Sequence, residues 1–354
     1  MKLALAPMAT LSHEALRLLI HRWGDPDEYF SEMIHAPTFV RGGRFEPWYV
    51  RTEPCPELMV WQLTGSEAES MTRAAGMLLA YGGIGLDLNM GCSAPDIARS
   101  GAGIAWMSKP HDEVSNLVSR VRSAIDRGAA VPLAPGRPAS RRLGVKLRLG
   151  ENEDYDRLLR FCRMLVESGA DMLTLHPRVR RDKYSRPARR AFVARLAGDL
   201  PVPVYGNGDI ASATDALEYE REVPCAGLMI GRAAVQKPWI FRELRQALEA
   251  GDAGVSGPGG DQGRLMVDHL EVASFFLEHL ARSQPEEFQI SRAHRFFFYY
   301  CDNFSFAHHI KMKIQNAETT AEILPLLGEY LERVPADRYL VLGGNGARRE
   351  AGAD

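Results

Sequence analysis

The chain has 354 residues, a formal net charge of −2, and 45% hydrophobic and 25% charged residues, the proportions of an ordinary globular protein. This length allows one large domain and a smaller one, and no apolar run in the sequence is long enough to cross a bilayer. Five cysteines without close spacing argue against a disulfide framework, and the sequence shows no Cys or His cluster typical of a metal site. Because the N-terminus also lacks the form of a secretory signal, we expect a reduced, cytoplasmic protein with no membrane association.

Eight short apolar runs predict β-strands, and most are followed by a helical pattern. The predicted strands are Lys2–Met8, Glu28–Ala36, Leu58–Gly65, Gly85–Cys92, Leu143–Gly150, Met172–Arg178, Pro203–Asp209 and Gly227–Ala234. The clearest helical patterns are Glu67–Tyr81, His111–Arg127, Asp154–Ser168 and Ala211–Glu220. Strands that alternate with helices pair in parallel, so eight such units predict an α/β fold, a closed (β/α)8 TIM barrel. A doubly wound open sheet would favour a GxGxxG turn after the first strand, where this chain has Ala6-Pro7-Met8-Ala9.

The chain changes character after about residue 250. We expect the barrel in residues 1–250, a glycine-rich linker at 251–263, a small helical bundle at 264–340 and a disordered tail at 341–354. The predicted bundle helices are Arg264–Arg282, Glu286–Cys301, Phe304–Asn316 and Thr319–Arg333. The aromatic run Phe296–Tyr300 is expected in the bundle core rather than on a stacking platform. Earlier in the chain, the Pro-, Ala- and Arg-rich segment Ala129–Arg142 is expected to be a surface loop.

Polar or glycine residues end most of the predicted strands. Because active sites of such barrels lie at the C-terminal ends of the strands, these residues should converge. They are Met8, Gln62, Asn89 with Cys92, Lys146 with Arg148, His176 with Arg178, Asn207 with Asp209, and Gly231 with Arg232. Glycines at the last two turns open backbone N–H groups to an anion, so we expect a phosphate site there with Arg232. Cys92 follows a glycine at a strand end, a position that suits a chemical role, and a small buried cysteine that fills a gap is the alternative interpretation.

Positive charge is unevenly distributed along the sequence. Seven Lys and Arg residues lie between Arg178 and Arg190, opposed there only by Asp182. A second cluster consists of Arg137, Arg141, Arg142, Lys146 and Arg148. A local positive patch can bind phosphates even when the whole molecule is near neutral, and a solvated basic loop is the alternative interpretation.

Several motifs, in this order, resemble the tRNA-dihydrouridine synthase family over nearly the whole chain. They are Leu5-Ala-Pro-Met8, Asp87-Leu-Asn-Met-Gly-Cys92, Val145-Lys-Leu-Arg148, Leu173-Thr-Leu-His176, Gly206-Asn-Gly-Asp-Ile210 and Met229-Ile-Gly-Arg232. The helical part matches more weakly, best at Arg292-Ala-His294 and Tyr299-Tyr300. The resemblance implies an FMN-bearing barrel in which NADPH or NADH reduces the flavin, and the reduced flavin then reduces a uracil in tRNA.

By motif position, the resemblance also implies roles for individual residues. Cys92 corresponds to the proton donor, and Asn89, Arg148 and Arg178 are expected to contact the substrate. The expected cofactor-binding residues are Pro7, Met8, Gln62, Lys146, His176, Asn207, Gly208, Asp209, Gly231 and Arg232. The resemblance implies that the reaction requires neither a metal ion nor a protein partner.

The reaction itself calls for groups of these kinds. Hydride arriving at C6 of uracil leaves enolate character at C5 and O4, so C5 must be protonated. A thiol with a pKa near 8.5 remains protonated at pH 7 and can act as the acid, while Lys146 beside the flavin would stabilise the anionic reduced ring. The target base must leave its helix or loop to reach the flavin. We therefore expect the loop 178–190 and a bundle face to contact the RNA backbone. That face comprises Arg292, Arg295, Lys311 and Lys313.

Three positions depart from the family pattern: Ser93 replaces a proline, Asp96 a basic residue and Pro177 a glycine. These departures concern RNA specificity more than flavin binding.

Two other function classes remain open: a flavin-dependent barrel oxidoreductase acting on a small pyrimidine, and a non-catalytic RNA-binding protein on an inherited barrel. Reductase activity on tRNA that lacks the modification separates the first class from the RNA enzyme. For the non-catalytic RNA-binding protein, we expect a colourless protein or RNA binding without turnover.

Overall fold

The computed structural model describes residues 1–128, 141–252, 265–342 and 348–349. The chain divides into two compact units, one of Met1–Ser12 with Pro26–Gly231 and the other of His13–Asp25 with the residues from Arg232 onward. The sequence placed this boundary near residue 250, after the last barrel helix. The structure differs because the segment His13–Asp25 packs within the second unit. Among the described residues, the helices are too short or too polar to pass through a bilayer.

Nine parallel strands of the described chain lie in the first unit, and eight of them close into a barrel. The strands are β1 (Lys2–Leu5), β2 (Glu28–Phe30), β3 (Ile34–His35), β4 (Met59–Thr64), β5 (Gly85–Met90), β6 (Arg142–Leu147), β7 (Met172–Leu175), β8 (Val204–Asn207) and β9 (Gly227–Ile230). They are hydrogen-bonded in the order β2-β1-β9-β8-β7-β6-β5-β4, and pairing of β2 with β4 closes the ring. The short β3 pairs with β4 only. The predicted (β/α)8 fold is confirmed.

Helices follow most of the barrel strands in this unit. They are α2 (Ala36–Val40), α3 (Glu46–Tyr49), α4 (Ala68–Leu78), α5 (Pro95–Arg99), α6 (His111–Gly128), α7 (Tyr155–Glu167), α8 (Ala191–Asp199) and α9 (Ala213–Glu222), with 3₁₀ turns at Pro56–Leu58, Leu79–Tyr81 and Gly103–Ser108. The helix α7 begins where the Asp154 carboxylate accepts from the N–H of Arg157 at 2.9 Å. The four helices predicted from periodicity lie within a few residues of their expected positions. Residues 129–140 of the predicted surface loop lie outside the described part, and Arg142 already begins β6.

Alternate side chains of the strands fill the barrel interior. An apolar cluster there consists of Ala4, Ala6, Phe30, Val60, Met172, Tyr205 and Met229. Beside it, the guanidinium of Arg142 donates to both carboxylate oxygens of Glu28, and the Tyr205 hydroxyl donates to Glu28 at 3.0 Å. Arg142 therefore serves the barrel interior, and Arg141 and Arg148 are buried, so the second basic cluster does not form the predicted surface patch. Arg137, also assigned to that cluster, lies outside the described residues.

The second unit contains mostly helices. They are α1 (Glu14–Trp23), α10 (Arg232–Gln236), α11 (Ile240–Asp252), α12 (His269–Ser283), α13 (Glu286–Tyr300), α14 (Ala307–Gln315) and α15 (Ile323–Arg333), with 3₁₀ turns at Cys301–Asn303, Thr320–Glu322 and Pro335–Asp337. Its strands are β10 (Leu265–Asp268), β11 (Tyr339–Leu342) and β12 (Arg348–Arg349). The sequence predicted a helix from Arg264, but α12 begins only after its N-cap Asp268, and Leu265–Asp268 pair antiparallel with β11 instead. Within the expected tail, the described residues Arg348–Arg349 pair antiparallel with β11. The expected linker lies outside the described residues from 253 to its end.

Aromatic side chains form the core of this unit. The rings of Phe276 and Phe296 stack with centroids 3.7 Å apart, and Phe296 also stacks on Tyr300 at 5.1 Å. Phe297 is buried with them, whereas Phe298 is exposed. Most of the aromatic run thus belongs to the core, as predicted. Arg292 on the same helix is only 2% exposed, so it is buried and does not belong to the predicted basic face.

Candidate active site

The loop that follows β5 carries Cys92 and is fixed by close backbone packing. A Cβ on Gly91 would lie 3.0 Å from the carbonyl carbon of Leu147. Gly103 has a φ of +58°, and a Cβ there would lie 2.5 Å from the carbonyl oxygen of Cys92. The N–H of Ile104 donates to the same oxygen at 2.9 Å. Cys92 is therefore half-buried at the carboxyl end of a barrel strand, in a loop with little backbone freedom.

Three buried side chains connect this loop to the barrel interior. The amide oxygen of Asn89 accepts from the N–H of Cys92 at 2.9 Å and from that of Gly91 at 3.3 Å. Its amide nitrogen donates to Gln62 Oε1 at 2.8 Å, and Gln62 Nε2 donates to Asp87 Oδ2 at 2.7 Å. The expected role of Gln62 was to line the flavin, yet it is 0% exposed and both ends of its amide contact protein groups. In this structure Gln62 and Asn89 position the Cys92 loop.

Lys146 lies next to this network, because Asn89 and Lys146 are partners in the register of β5 and β6. Burial lowers the pKa of Lys146 to about 8, although the nearby Asp87 and Cys92 act in the opposite direction. Within the described chain, Lys146 Nζ has no hydrogen-bond partner. The residue is half-buried rather than fully buried. An enclosed ammonium group without an acceptor is unfavourable, so this position favours an anionic or carbonyl-bearing ligand.

Arg178 is the centre of a buried polar cluster after β7. It is 0% exposed. One terminal nitrogen donates to both carboxylate oxygens of Asp209 at 2.7 Å, and the other lies 2.8 Å from His176 Nε2. Since an arginine can only donate, His176 Nε2 accepts and the imidazole proton is on Nδ1. We expected Arg178 to contact the substrate; the structure places it inside the protein, where it also donates to the carbonyl oxygen of Arg186 at 2.7 Å.

The turn after β8 has the backbone geometry of an anion site. Gly208 and Asp209 have φ values of +115° and +54°, in the left-handed region that glycine favours. A Cβ on Gly208 would lie 2.9 Å from the His176 ring. The Asn207 side chain donates to the carbonyl oxygen of Met229 at 2.7 Å, which ties β8 to β9. Because the Asp209 carboxylate is directed at Arg178, an anion at this turn would contact backbone N–H groups rather than that side chain.

The remaining predicted residues lie at the ends of β9, β1 and β6. After β9, the atom nearest to a Cβ on Gly231 would be Met8 Sδ, 3.6 Å away, so this turn is less tightly packed. The half-buried Pro7 and Met8 follow β1, and the N–H of Met8 donates to Ser12 Oγ at 2.9 Å. Arg148 is 7% exposed, with one long contact of 3.4 Å to the carbonyl oxygen of Val179. Arg232 begins α10 and belongs to the second unit.

Acidic neighbours neutralise much of the basic loop 178–190. Arg189 contacts Asp182 and Glu153, each at 2.6 Å, and Arg180 contacts Glu151 at 2.9 Å. In the described part of the chain, Arg181 and Lys183 have no ion-pair partner, and both are exposed. Tyr184 beside them is 55% exposed, and its ring stacks on His176 with centroids 6.2 Å apart. The surface available to a polyanion is therefore narrower than the sequence predicted.

Sequence reasoning missed Asp87. It is 1% exposed, and burial raises its pKa to about 7 against the opposing effects of Gln62, Lys146 and Arg142. The available signal was an acidic residue in the otherwise apolar run Gly85–Met90, two positions before Asn89 and hence on the same face of the strand.

Comparison with known proteins gives a consistent result. Residues 4–333 match the family model described as "Dihydrouridine synthase (Dus)". The tRNA-dihydrouridine synthase B of Xanthomonas campestris pv. campestris is 30% identical over 336 residues, covering 95% of this chain and 94% of that protein. The tRNA-dihydrouridine(16) synthase of Neisseria meningitidis serogroup B is 26% identical over 343 residues, covering 93% and 94%.

Solved structures resemble this chain in fold alone. A 2-naphthoyl-CoA reductase complex superposes with a TM-score of 0.50 at 10% identity, covering 70% of this chain and 50% of that chain. Histamine dehydrogenase from Rhizobium sp. 4-9 gives a TM-score of 0.50 at 12% identity, covering 71% and 46%.

Proposed function

This chain belongs to the dihydrouridine synthase family, and on that premise we propose that it reduces selected uridines in tRNA to 5,6-dihydrouridine, with bound FMN as cofactor and NADPH or NADH as reductant. The observation that carries the proposal is the placement of Cys92 and Lys146 at the carboxyl ends of adjacent strands, where the Lys146 ammonium has no hydrogen-bond partner among the described residues. The names of the relatives, which specify tRNA, support RNA rather than a free nucleotide as substrate. A tRNA substrate also implies a cytoplasmic location.

The groups at the strand ends fit an anionic flavin. Lys146 supplies a cation that lacks an acceptor, and the left-handed turn at Gly208 opens backbone N–H groups to a phosphate. His176, whose Nε2 accepts from Arg178, lies against this turn. When bound, reduced FMN supplies the hydride that adds to C6 of the uracil. We propose that Pro7, Met8, Asn207 and Gly231 complete the cofactor site within the first unit, whereas Gln62 and Asp209 act by positioning their neighbours.

Cys92 is the proposed acid for C5 of the uracil. Its loop is fixed on both sides, by Asn89 at the Cys92 N–H and by Ile104 at the Cys92 carbonyl. A fixed backbone limits the positions that the thiol can occupy, and a positioned acid of this kind typically contributes about 10²–10⁴ in rate. Lys146 would stabilise negative charge in the same region by attraction.

The RNA contacts are proposed for exposed cations without acidic partners. In the first unit these are Arg181 and Lys183, next to the exposed ring of Tyr184. In the second unit Arg295 is exposed, whereas Lys311 contacts Asp302 at 2.5 Å and Lys313 lies 3.9 Å from Glu329. Arg295 is therefore the strongest remaining candidate of the predicted basic face.

A direct test uses tRNA from cells that make no dihydrouridine. The purified protein should be yellow and, with NADPH, should form dihydrouridine in that tRNA, which mass spectrometry of the digested nucleosides detects. Free uridine monophosphate with NADPH, and dihydroorotate with an electron acceptor in place of NADPH, serve as alternative substrates in parallel reactions. Turnover of either small molecule without turnover of tRNA would support the small-pyrimidine enzyme instead. A protein that lacks flavin and binds tRNA without turnover would support the non-catalytic reading.

A further inference from the structure

The backbone N–H groups of the Cys92 loop fix which atoms donate and which accept in the hydrogen bonds below it. Backbone N–H groups only donate, so Asn89 must present its amide oxygen to Gly91 and Cys92. Its amide nitrogen is then directed at Gln62, which must accept with Oε1 and donate with Nε2. The donation from Gln62 requires an acceptor, and Asp87 Oδ2 provides it at 2.7 Å.

We propose that Asp87 is a positioning residue for the Cys92 loop, acting through Gln62 and Asn89 to fix the direction of both amide groups. Without an acceptor at position 87, the Gln62 amide could rotate and present its nitrogen to the nitrogen of Asn89. Asn89 would then have to give up either Gln62 or the backbone of the loop. The proposal concerns how the proton donor of the proposed function is held in place.

The surroundings of Asp87 support this assignment. Only Oδ2 is used in a hydrogen bond, because Oδ1 is buried and has no partner in the described residues. The strand β6 leaves space for Oδ1 with a glycine, since a Cβ on Gly144 would lie 2.8 Å from it. Lys146 and Arg142 on β6 and Glu28 on β2 are the charged groups that act on Asp87. A proton added at Oδ1 would leave Oδ2 able to accept, so the relay requires an acceptor rather than a charge.

Two substitutions of Asp87 should therefore have different effects on the Cys92 loop. Asp87→Asn keeps an acceptor for Gln62, whereas Asp87→Ala removes it. We would measure the rate at which iodoacetamide alkylates Cys92 in the flavin-loaded protein at one pH, following the Cys92 peptide by mass spectrometry. Asp87→Ala should raise the rate by about fivefold, the factor that corresponds to loss of one hydrogen bond of net stabilisation. Asp87→Asn should stay within about twofold of the wild type, which is rescue by the conservative variant.

Two further variants keep the test decisive. Gln62→Met removes the middle of the relay at similar size, and it should raise alkylation like Asp87→Ala even if the latter folds poorly. Thr64→Val is the matched control: Thr64 lies two residues beyond Gln62 on β4 and its buried hydroxyl has no partner in the described chain. It should leave the rate unchanged.

The proposal is overturned if Gln62→Met and Asp87→Ala leave Cys92 alkylation within twofold of wild type. It is equally overturned if Asp87→Asn behaves like Asp87→Ala, because charge and not an acceptor would then matter. Melting midpoint and flavin content report general damage to the fold, which Thr64→Val calibrates. Since alkylation is measured without tRNA or turnover, its outcome is independent of whether the proposed substrate is correct.

Discussion

The barrel interior contains two clusters of polar and charged groups that differ in how their members are paired. In the paired cluster, defined as Glu28, Arg142 and Tyr205, the carboxylate accepts from both other side chains. In the open cluster, defined as Asp87, Cys92 and Lys146, Asp87 Oδ1 is buried without a hydrogen-bond partner in the described chain. None of the described residues forms a hydrogen bond with Lys146 Nζ either. Both clusters lie within one closed sheet, so their difference does not come from the fold.

The difference indicates which cluster serves the barrel and which serves a ligand. Enclosing a charged group is unfavourable unless another group compensates it. The paired cluster finds its compensation within the chain and can act without a ligand. The open cluster does not, which lowers the pKa of Lys146 and raises that of Asp87. Perturbed groups of this kind concentrate at functional sites.

Removal of the thiol should separate function from stability most clearly. Cys92→Ala should reduce uridine reduction by about 10²–10⁴, because the acid for C5 is lost. Reduction of the bound flavin by NADPH should remain unchanged, since it requires no proton for C5. Stopped-flow absorbance measures flavin reduction, and nucleoside mass spectrometry measures the product. Cys225→Ala is the control, since this half-buried cysteine contacts the carbonyl oxygen of Gly227 instead. Full turnover by Cys92→Ala would contradict the assignment.

Disruption of the paired cluster should lower stability and leave activity near normal, the opposite of what is expected for removal of the thiol. Glu28→Gln leaves the Arg142 guanidinium without its anion and should lower the free energy of unfolding by about 3 kcal/mol. This is the lower end of the usual range, because the Arg142 side chain remains 24% exposed. Urea unfolding at pH 7 measures the change, while product formation by the folded variant should stay near normal. Glu113→Gln, at an exposed pair with Lys109, should change stability by less than about 0.5 kcal/mol. A loss below about 1 kcal/mol for Glu28→Gln would show that the pair contributes little.

Asp87→Asn should change the pH dependence of stability. The folded state raises the pKa of Asp87 from 3.8 to about 7, so the folded carboxyl binds its proton more tightly than the unfolded one. The resulting stabilisation is present below about pH 3.8 and is lost as the pH rises through about 7. The variant should therefore gain stability relative to wild type as the pH rises from 4 to 8, by at least about 2 kcal/mol.

Urea unfolding at several pH values measures this difference. Asp126→Asn on the exposed face of α6 provides the control and should not change the pH profile. Parallel pH profiles for wild type and Asp87→Asn would show that Asp87 is already ionised like an ordinary carboxyl.

The smallest effect is expected outside both clusters. Reversal of charge at Arg181 and Lys183 should weaken tRNA binding about tenfold. It should also reduce the slope of log K against log salt concentration by the amount that about two phosphate contacts contribute. The flavin absorbance should not change, since neither side chain belongs to the barrel interior. Filter binding at several salt concentrations measures both quantities. Arg221→Glu, on exposed α9, is the control. Loss of flavin, or unchanged binding, would count against these residues as the RNA contact.

The sequence alone was sufficient to predict the barrel and the positions of its strand ends. Alternation of short apolar runs with helical patterns requires parallel pairing, and a parallel sheet brings the ends of β5 and β6 to one edge whatever the side chains are. For the same reason Cys92 and Lys146 could be placed together before any coordinates were known.

Only the tertiary structure decided which polar side chains contact other protein groups. Gln62, Arg178 and Arg292 were expected at ligands and instead lie buried against protein partners or in the core. Asp87 was not expected at all, because its neighbour Gln62 comes from a strand 25 residues away in sequence. Hydrogen bonds and burial depend on which side chains meet across strands and loops. A linear pattern gives the side of a strand on which a residue lies, but not the partner that it finds there.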